Sequence, residues 1–365
     1  GKEEKANSVQ KEIVDPTVKK LYSKNNDLYC TFNGKEIRMT NDDEEEQNPT
    51  FSPDSNYVAY TKHNDIFTYN FLTQKETQLT TDGSATILNG YASWVYYEEI
   101  FGRPTKYRAF WWSPDSKTLA YMRFNDLMVR EYPIIDYEKR SDYIEKTHYP
   151  QAGDTNPQVK IGFTKPDGSP IIWANFNEND DQYFGWPIWK SDTSVLIQWI
   201  NRDQNHLIIY DVNISNGSKK LFYEEQQPTW IDLEDDAGGR IAFLKNKTGF
   251  ILKSDKTGWN HLYLYNMDGS LKNAITSGNY TVTDVKMIDE KNNIVYFIAR
   301  KENSARLDLY SINLNGKNLR RLTQGEYNNK DINMSPSGKY FVTTCSNVST
   351  PAKMILCDNK GRLIT

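Results

Sequence analysis

The adjacent carboxylates Glu98 and Glu99 are the residues of this sequence with the clearest potential for binding chemistry. They lie in an aromatic-rich run, residues 94–101 (WVYYEEIF). Two like charges side by side among aromatic side chains are costly to bury unless a cation compensates them. The pair therefore predicts a site for a cationic group. On sequence alone, the alternative is a solvated acidic pair on a loop.

The sequence lacks the local pattern that a serine hydrolase needs. Such an enzyme carries its nucleophile on a strained strand-to-helix turn, G-x-S-x-G, followed by Asp and His, and this pattern does not occur. The cysteines are too few and too scattered for a metal motif, and the acidic run 42–46 is interpreted as a solvated loop tip. We therefore predict no catalytic residue, no cofactor and no metal site. We assign structural roles to the histidines His63, His148, His206 and His261.

A repeated hairpin forms the framework that must position the glutamate pair. Residues 51–60 (FSPDSNYVAY) return as residues 112–121 (WSPDSKTLAY) and, less closely, as residues 334–342 (MSPSGKYFV). In each copy Pro presets φ in a tight turn, Asp or Ser bonds back to the backbone, and strand-forming residues follow. A degraded copy occupies residues 189–197. Its return in one hydrophobic frame indicates a repeated supersecondary unit.

A second hairpin follows the first in most repeats, and it begins with Asp or His before an apolar run. Two hairpins make a four-stranded antiparallel blade, and radial repetition of blades gives a β-propeller. We predict an all-β fold, a β-propeller of about seven to eight such blades, with the first and last incomplete and with little helix. The second hairpins begin at residues 27–29, 65–67, 206–210, 261–265 and 308–310.

Two stretches interrupt the repeat, the insert 92–108 that carries the glutamate pair and the polar connection 136–157. Such interruptions usually map to loops or arms on one face. The polar, Lys/Glu-rich residues 1–17 predict a disordered or processed N-terminal segment. Residues 18–365 are assigned to the propeller domain.

Charge and hydropathy exclude two classes of partner. The net charge is −4, and no cluster of Lys and Arg is interleaved with aromatic residues, so we expect no nucleic-acid partner. No stretch approaches the roughly 18 consecutive apolar residues that a membrane span requires. We therefore expect a sheet-rich globular protein without a membrane span.

The insert and its flanks resemble the dipeptidyl peptidase IV family of prolyl oligopeptidase-type serine peptidases. The resemblance rests on residues 94–101 (WVYYEEIF), 108–115 (RAFWWSPD) and 119–126 (LAYMRFND), which follow the family's order and spacing. Residues 149–157 (YPQAGDTNP) and 258–263 (GWNHLY) match further family segments. The resemblance implies an N-terminal eight-bladed propeller followed by an α/β-hydrolase domain, which we expect to be absent from this chain.

By this resemblance, Glu98 and Glu99 bind the free α-ammonium of a peptide substrate. Two residues of extended chain span about 7 Å, so an anchor at that distance from a nucleophile leaves room for a dipeptide. Neighbouring side chains reach one ammonium from a helical turn but not from a strand, so we predict a short helical turn over residues 97–101. The family also places an arginine beside the pair. It is not assigned here, although Lys19 and Lys20 lie near the expected place.

The same resemblance implies several properties of the parent protein. The nucleophile would come from the following hydrolase domain, so the chain alone should be inactive. A periplasmic, cell-surface or secreted location is implied, with the signal removed from the sequence. A homodimer is left open, because members of the family commonly form dimers.

Two other functions stay open at the level of the sequence. A free-standing TolB-like propeller would bind a protein or peptide without enzymatic activity. A sugar-cleaving or lectin-like propeller has the aromatic content in its favour, but no pair of catalytic carboxylates is identifiable. A hydrolase elbow encoded beyond Thr365 would favour the peptidase, and a stop codon there would favour the TolB-like propeller.

Overall fold

The computed structural model describes residues 18–135, 144–233 and 239–365, and it consists largely of antiparallel strands. The predicted N-terminal segment 1–17 lies outside the described residues, as do residues 136–143 of the connection 136–157. The strands are β1 Lys20–Lys24, β2 Asp27–Phe32, β3 Lys35–Arg38, β4 Gln47–Phe51, β5 Tyr57–Lys62, β6 Asp65–Asn70, β7 Lys75–Gln78, β8 Ile87–Asn89, β9 Phe110–Trp112, β10 Leu119–Asn125, β11 Glu131–Ile135, β12 Ile144–His148, β13 Gln158–Thr164, β14 Ile172–Trp173, β15 Gln182–Phe184, β16 Ile188–Ser191, β17 Ser194–Asn201, β18 His206–Asn213, β19 Lys219–Gln226, β20 Ile241–Phe243, β21 Gly249–Ser254, β22 His261–Asn266, β23 Leu271–Ala274, β24 Val282–Asp289, β25 Ile294–Ala299, β26 Asp308–Asn313, β27 Arg320–Arg321, β28 Asn328–Met334, β29 Tyr340–Asn347 and β30 Thr350–Asp358.

Strands that follow one another in the sequence mostly pair with each other, so the sheets are built from consecutive antiparallel hairpins. Within the described ranges, three sheets have four strands, two have five, and the first and last have three. This agrees with the predicted four-stranded repeat and its incomplete ends. The four-stranded sheets are β4–β7, β20–β23 and β24–β27; the five-stranded sheets are β8–β10 with β13–β14, and β15–β19; the three-stranded sheets are β1–β3 and β28–β30.

The repeated Ser-Pro turns have one backbone geometry. In each, the Ser N–H donates to the carbonyl five residues later, and the Ser carbonyl accepts the N–H three residues later. That third residue takes a left-handed φ of 58° at Ser55, 64° at Ser116 and 65° at Gly338, a conformation in which glycine has no steric penalty. The degraded copy differs, because Ser191 pairs with Ser194 across a tighter two-residue turn.

A second repeated contact closes the later hairpins. A threonine hydroxyl accepts the backbone N–H of the second residue of the strand, at Leu28–Thr40, Ile66–Thr80, Leu262–Thr276 and Leu309–Thr323, over 2.8 to 3.3 Å. At two of the three strands that begin with Asp, the same hydroxyl donates to the carboxylate of that Asp, over 2.7 Å at Asp65 and 2.6 Å at Asp308. We call these contacts the Asp–Thr corners. They explain why Asp begins the strand and Thr ends the hairpin.

His261 replaces the aspartate in one repeat and makes the same contact in neutral form. Its Nε2 lies 2.9 Å from the Gly278 carbonyl, which can only accept, so Nε2 carries the proton. Nδ1 is then free to accept the Thr276 hydroxyl at 3.0 Å. Burial lowers the pKa of His261, which favours this neutral state.

The chain divides into two compact units, each with its own apolar cores. The first comprises residues 1–98, 105–179 and 214–217, and the second comprises residues 99–104, 180–213 and 218–365. In the first unit the largest buried side chains include Tyr60 and Tyr121, and in the second they include Phe297 and Tyr310.

The connection 136–157 contains a strand that the polar sequence did not predict. Residues Ile144–His148 form β12, which pairs with β11 from Glu131↔His148 to Ile135↔Ile144. Ile135 and Ile144 are more than half exposed at the described end of this hairpin.

Candidate functional site

The glutamate pair lies in a loop whose ends are joined by backbone contacts. Tyr91 and Arg108 form an isolated antiparallel bridge. The Ala92 N–H donates to the Tyr107 carbonyl at 2.7 Å, and the Ala109 N–H donates to the Gly90 carbonyl at 2.8 Å. The loop therefore leaves and rejoins the sheet framework at one place.

A short helix carries the pair, and it is the one helical element in the described part of the chain. Helical residues Trp94 and Val95 lead into a π-helix, Tyr96–Ile100. The Ser93 carbonyl accepts the N–H groups of Tyr96 and Tyr97 at 3.0 and 3.1 Å. The prediction of a helical turn over residues 97–101 is confirmed for residues up to Ile100. π-Helical turns are rare and often occur at functional sites.

One side of the helix is anchored in apolar surroundings, and the glutamates lie away from it. Tyr96 and Ile100 are 0% and 1% exposed, whereas Glu98 is half-buried and Glu99 is exposed. Consecutive side chains are about 100° apart in an α-helix and somewhat closer in the wider π-helix. The two carboxylates can therefore approach one cationic group, which side chains alternating along a strand could not do.

Three stacked tyrosines flank the pair, and sequence reasoning did not single them out. The Tyr97 ring stacks on Tyr107 with centroids 3.8 Å apart, and Tyr107 stacks on Tyr91 at 4.9 Å. Burial raises the pKa of Tyr91, so this phenol is neutral at physiological pH. The stack fixes the position of Tyr97, the residue directly before Glu98. Tyr97 and Tyr107 lie directly before and directly after residues 98–106, and this placement was the signal that the sequence offered.

The chain after the helix adopts an unusual backbone conformation. Arg103, Lys106 and Tyr107 have φ values of 67°, 50° and 71°, in the left-handed region that non-glycine residues rarely adopt. Residues held in such regions cost about 1–3 kcal/mol each and cluster at functional sites. Tyr107, one of these residues, also lies at the centre of the tyrosine stack.

The lysines that lie near the family's arginine position have structural contacts. Lys19 Nζ donates to the Ser55 carbonyl at 2.5 Å and lies 4.1 Å from the centre of the Phe71 ring. Lys20 is exposed at the start of β1. The half-buried Arg108 donates from Nη1 to Thr50 Oγ1 at 3.1 Å, and burial lowers the pKa of its guanidinium. None of these contacts assigns the arginine role.

Within residues 18–135, 144–233 and 239–365, no group of three or more His, Cys, Asp or Glu side chains is arranged to hold a metal ion. In the same ranges no helix has the length and apolar character needed to cross a membrane.

The interpretation of the acidic run 42–46 as a solvated loop tip is wrong for its last residue. Its first four residues are exposed, but Glu46 is only 3% exposed, because it packs at the start of β4 beside Lys62.

Comparison with known proteins places these features in a family. Residues 5–352 match the family described as the dipeptidyl peptidase IV (DPP IV) N-terminal region. The chain is 32% identical over 266 residues to dipeptidyl peptidase 4 of Trichophyton equinum, which covers 70% of this chain and 33% of the relative. It is 29% identical over 283 residues to a probable dipeptidyl-aminopeptidase B of Talaromyces marneffei. The chain thus spans about a third of the length of these relatives.

Solved structures agree with this match. The crystal structure of Porphyromonas gingivalis dipeptidyl peptidase 4 superposes with a TM-score of 0.81 at 27% identity, over 93% of this chain and 48% of that one. A putative dipeptidyl aminopeptidase IV from Bacteroides ovatus gives a TM-score of 0.74 at 23% identity and supports the fold alone. The predicted fold class, an all-β β-propeller of antiparallel blades, is confirmed. The chain belongs to the dipeptidyl peptidase IV N-terminal region family.

Proposed function

We propose that this chain is the substrate-selecting region of a serine exopeptidase that removes N-terminal dipeptides, and that Glu98 and Glu99 bind the α-ammonium of the substrate. The observation that carries the proposal is the helical turn Tyr96–Ile100, which presents two consecutive carboxylates from an apolar, aromatic framework. An ammonium offers three donors and one positive charge, which matches two adjacent carboxylates.

Family membership supports the peptidase over the two alternatives from the sequence. The relatives named above are called dipeptidyl peptidases or dipeptidyl-aminopeptidases, and each is about three times as long as the matched region. We propose that a hydrolase domain follows this region in the parent protein and supplies the nucleophile. We further propose a periplasmic, cell-surface or secreted protein, because the resemblance to the family implies such a location.

The geometry also explains why the pair would act as a ruler. The helix that carries the carboxylate pair is held by the Ser93 carbonyl, the buried Tyr96 side chain and the tyrosine stack. The pair would therefore bind the substrate N-terminus at one fixed position. Two residues of extended substrate span about 7 Å, so a fixed anchor selects the second peptide bond. Acetylation of the substrate N-terminus removes the charge and should abolish recognition.

The test uses the full-length protein that carries the proposed hydrolase domain. Each of Glu98→Gln and Glu99→Gln should lower kcat/KM for a dipeptide-nitroanilide with a free N-terminus by about ten- to a hundredfold, since charge-assisted hydrogen bonds to a desolvated ammonium are lost. The matched control is Glu45→Gln, which removes an exposed glutamate of the acidic run 42–46. Unchanged kinetics in both helix variants would contradict the assignment.

A further inference from the structure

Ser93 determines where the glutamate helix begins. It is fully buried, and its carbonyl accepts the first two helical N–H groups, from Tyr96 and Tyr97. Its hydroxyl, Oγ, is also buried and has no hydrogen bond of good geometry to any described residue. An unpaired buried hydroxyl is costly, so a nearby acceptor should matter.

Asp126 places a carboxyl group beside that hydroxyl. It follows strand β10, whose Phe124 meets the helix residue Tyr96 edge to face at 4.9 Å. Asp126 is 3% exposed, its N–H donates to the Thr86 carbonyl at 2.8 Å, and its own carbonyl accepts the Val129 N–H at 2.8 Å. These hydrogen bonds hold the Asp126 backbone in place two residues after Phe124, which contacts the helix, and the Ser93 hydroxyl acts on the Asp126 carboxyl group.

The electrostatics of Asp126 are dominated by burial. Burial raises the pKa of Asp126 to about 6, although the Ser93 hydroxyl and, more weakly, His148 lower it. Asp126 Oδ1 lacks a hydrogen bond of good geometry within the described ranges, as Ser93 Oγ does. His148 of β12 is the one ionisable group in those ranges whose charge acts on Asp126. Its Nδ1 lies 2.9 Å from the Val129 carbonyl, which can only accept, so Nδ1 carries a proton.

We propose that Asp126 is a positioning residue for Glu98 and Glu99, and that its ionised carboxylate holds the start of their helix through the Ser93 hydroxyl. The inference rests on the proposed function in so far as the helix binds the substrate ammonium. An ionised carboxylate is a stronger acceptor for Ser93 O–H than a protonated one, and negative charge stabilises the first turn of a helix. When the carboxyl group is protonated, both effects weaken, and the glutamates are held less firmly.

The first experiment reads the helix directly in this 365-residue chain. Trp94, at the start of the helix, lies 4.1 Å from Tyr149 between ring centroids. Chain labelled with 5-fluorotryptophan, with Trp94→Phe used for assignment, should show a Trp94 ¹⁹F resonance that moves with pH and has a midpoint of about 6. The shift should be absent in Asp126→Asn and should persist in His148→Gln. A flat wild-type profile, or a shift lost only in His148→Gln, overturns the proposal.

The second experiment measures substrate recognition in the full-length protein. Asp126→Asn should raise KM for a free-N-terminus dipeptide-nitroanilide about three- to tenfold at pH 7, with kcat within about twofold. The change in KM corresponds to the loss of about one hydrogen bond, the one that the Ser93 hydroxyl donates to the carboxylate. At pH 5 the KM ratio between variant and wild type should return to about one, since the wild-type carboxyl group is then protonated as well. A ratio that does not change with pH overturns the proposal.

A double-mutant cycle tests whether Asp126 acts through Ser93. Ser93→Ala keeps the backbone carbonyl and removes the hydroxyl, so adding Asp126→Asn to it should have little further effect on KM. Additive effects overturn the proposed route. Glu98→Gln and Glu99→Gln, measured in parallel, separate the two ideas. If they leave the kinetics unchanged, the proposed function fails, whereas the ¹⁹F titration still decides whether Asp126 holds the helix.

Discussion

Asp308 and Glu99 show how differently two parts of this molecule use a carboxylate. Asp308, at an Asp–Thr corner, is fully buried and accepts hydrogen bonds from Thr323 at 2.6 Å, Arg321 at 2.8 Å and Asn329 at 3.1 Å. Glu99, on the helix of the insert, is exposed beside the half-buried Glu98. Arg321 belongs to the same sheet as Asp308, Thr323 lies in the loop after β27, and Asn329 belongs to β28. The glutamate helix is instead held by its tyrosines and by the Ser93 carbonyl.

The difference follows from the elements that carry the two groups. A corner aspartate begins a strand, and the hairpin returns a threonine to it at a fixed separation, 15 residues at both Asp65–Thr80 and Asp308–Thr323. Asn89 and Asn329 add a donor from the next strand of the fold at 3.1 Å in both cases. In the insert, the helix instead lies within a loop whose ends are joined by the bridge between Tyr91 and Arg108.

The largest effect that would sharpen this comparison concerns stability. Asp308→Ala should lower the free energy of unfolding by about 3–5 kcal/mol, because Arg321 is left without its buried carboxylate partner. The double variant Glu98→Gln/Glu99→Gln should change it by less than about 0.5 kcal/mol. Urea denaturation followed by tryptophan fluorescence measures both, with the exposed Asp203→Ala as the control. Equal losses in the two regions would remove the distinction between them.

Glu46 is a buried carboxylate whose cationic partner is distant, and we expect its contribution to stability to depend on pH. Burial raises the pKa of Glu46 to about 7, and the nearest ion-pair partner, Lys62 Nζ, is 4.0 Å away and also contacts Asp42 at 2.6 Å. Because the folded-state pKa lies above the unfolded one, the stability from this group is present below about pH 4.5 and is lost as the pH rises through 7.

Relative to Glu46→Gln, the wild-type chain should therefore lose about 1–2 kcal/mol of unfolding free energy between pH 5 and pH 8, after allowance for solvent screening. Urea titrations at several pH values measure the difference. Glu45→Gln, an exposed neighbour, should follow the wild-type curve. Parallel curves for wild type and Glu46→Gln would show that Glu46 is ionised in the fold throughout this range.

The smallest expected effect on stability is the difference between a corner whose threonine contacts a carboxylate and one whose threonine contacts a neutral histidine. Thr323→Val should cost about 1–1.5 kcal/mol, because the Asp308 carboxylate and the Leu309 N–H both lose a partner. Thr276→Val should cost less, about 0.5–1 kcal/mol, because its partner His261 is neutral. Thermal unfolding of both variants, with the exposed Thr73→Val as the control, gives the order. A larger loss at Thr276 would mean that the hydrogen bond to the backbone, and not the carboxylate, dominates the corner.

The repeat and the glutamate helix could be predicted because their signals are local. The Ser-Pro turns place Pro, Ser and a left-handed residue within five positions, which specifies one backbone geometry at Ser55 and Ser116. The helical turn follows from requiring two neighbouring carboxylates to meet one cation. Polar composition misled at one place, since Glu46 is buried in a run predicted to be solvated. The hairpin strand β12 lies in a connection for which we expected a loop or an arm.

By itself the sequence determined the antiparallel blades, the family and the glutamate pair, because short-range spacing and turn chemistry encode them. Only the tertiary structure decided which residues support the pair. Asp126 meets Ser93 from a position 33 residues further along the chain, and Tyr149 meets Trp94 from 55 residues away. Such contacts depend on how β10 and β12 end beside the helix, and a carboxylate acquires its pKa from that burial, which no local pattern records.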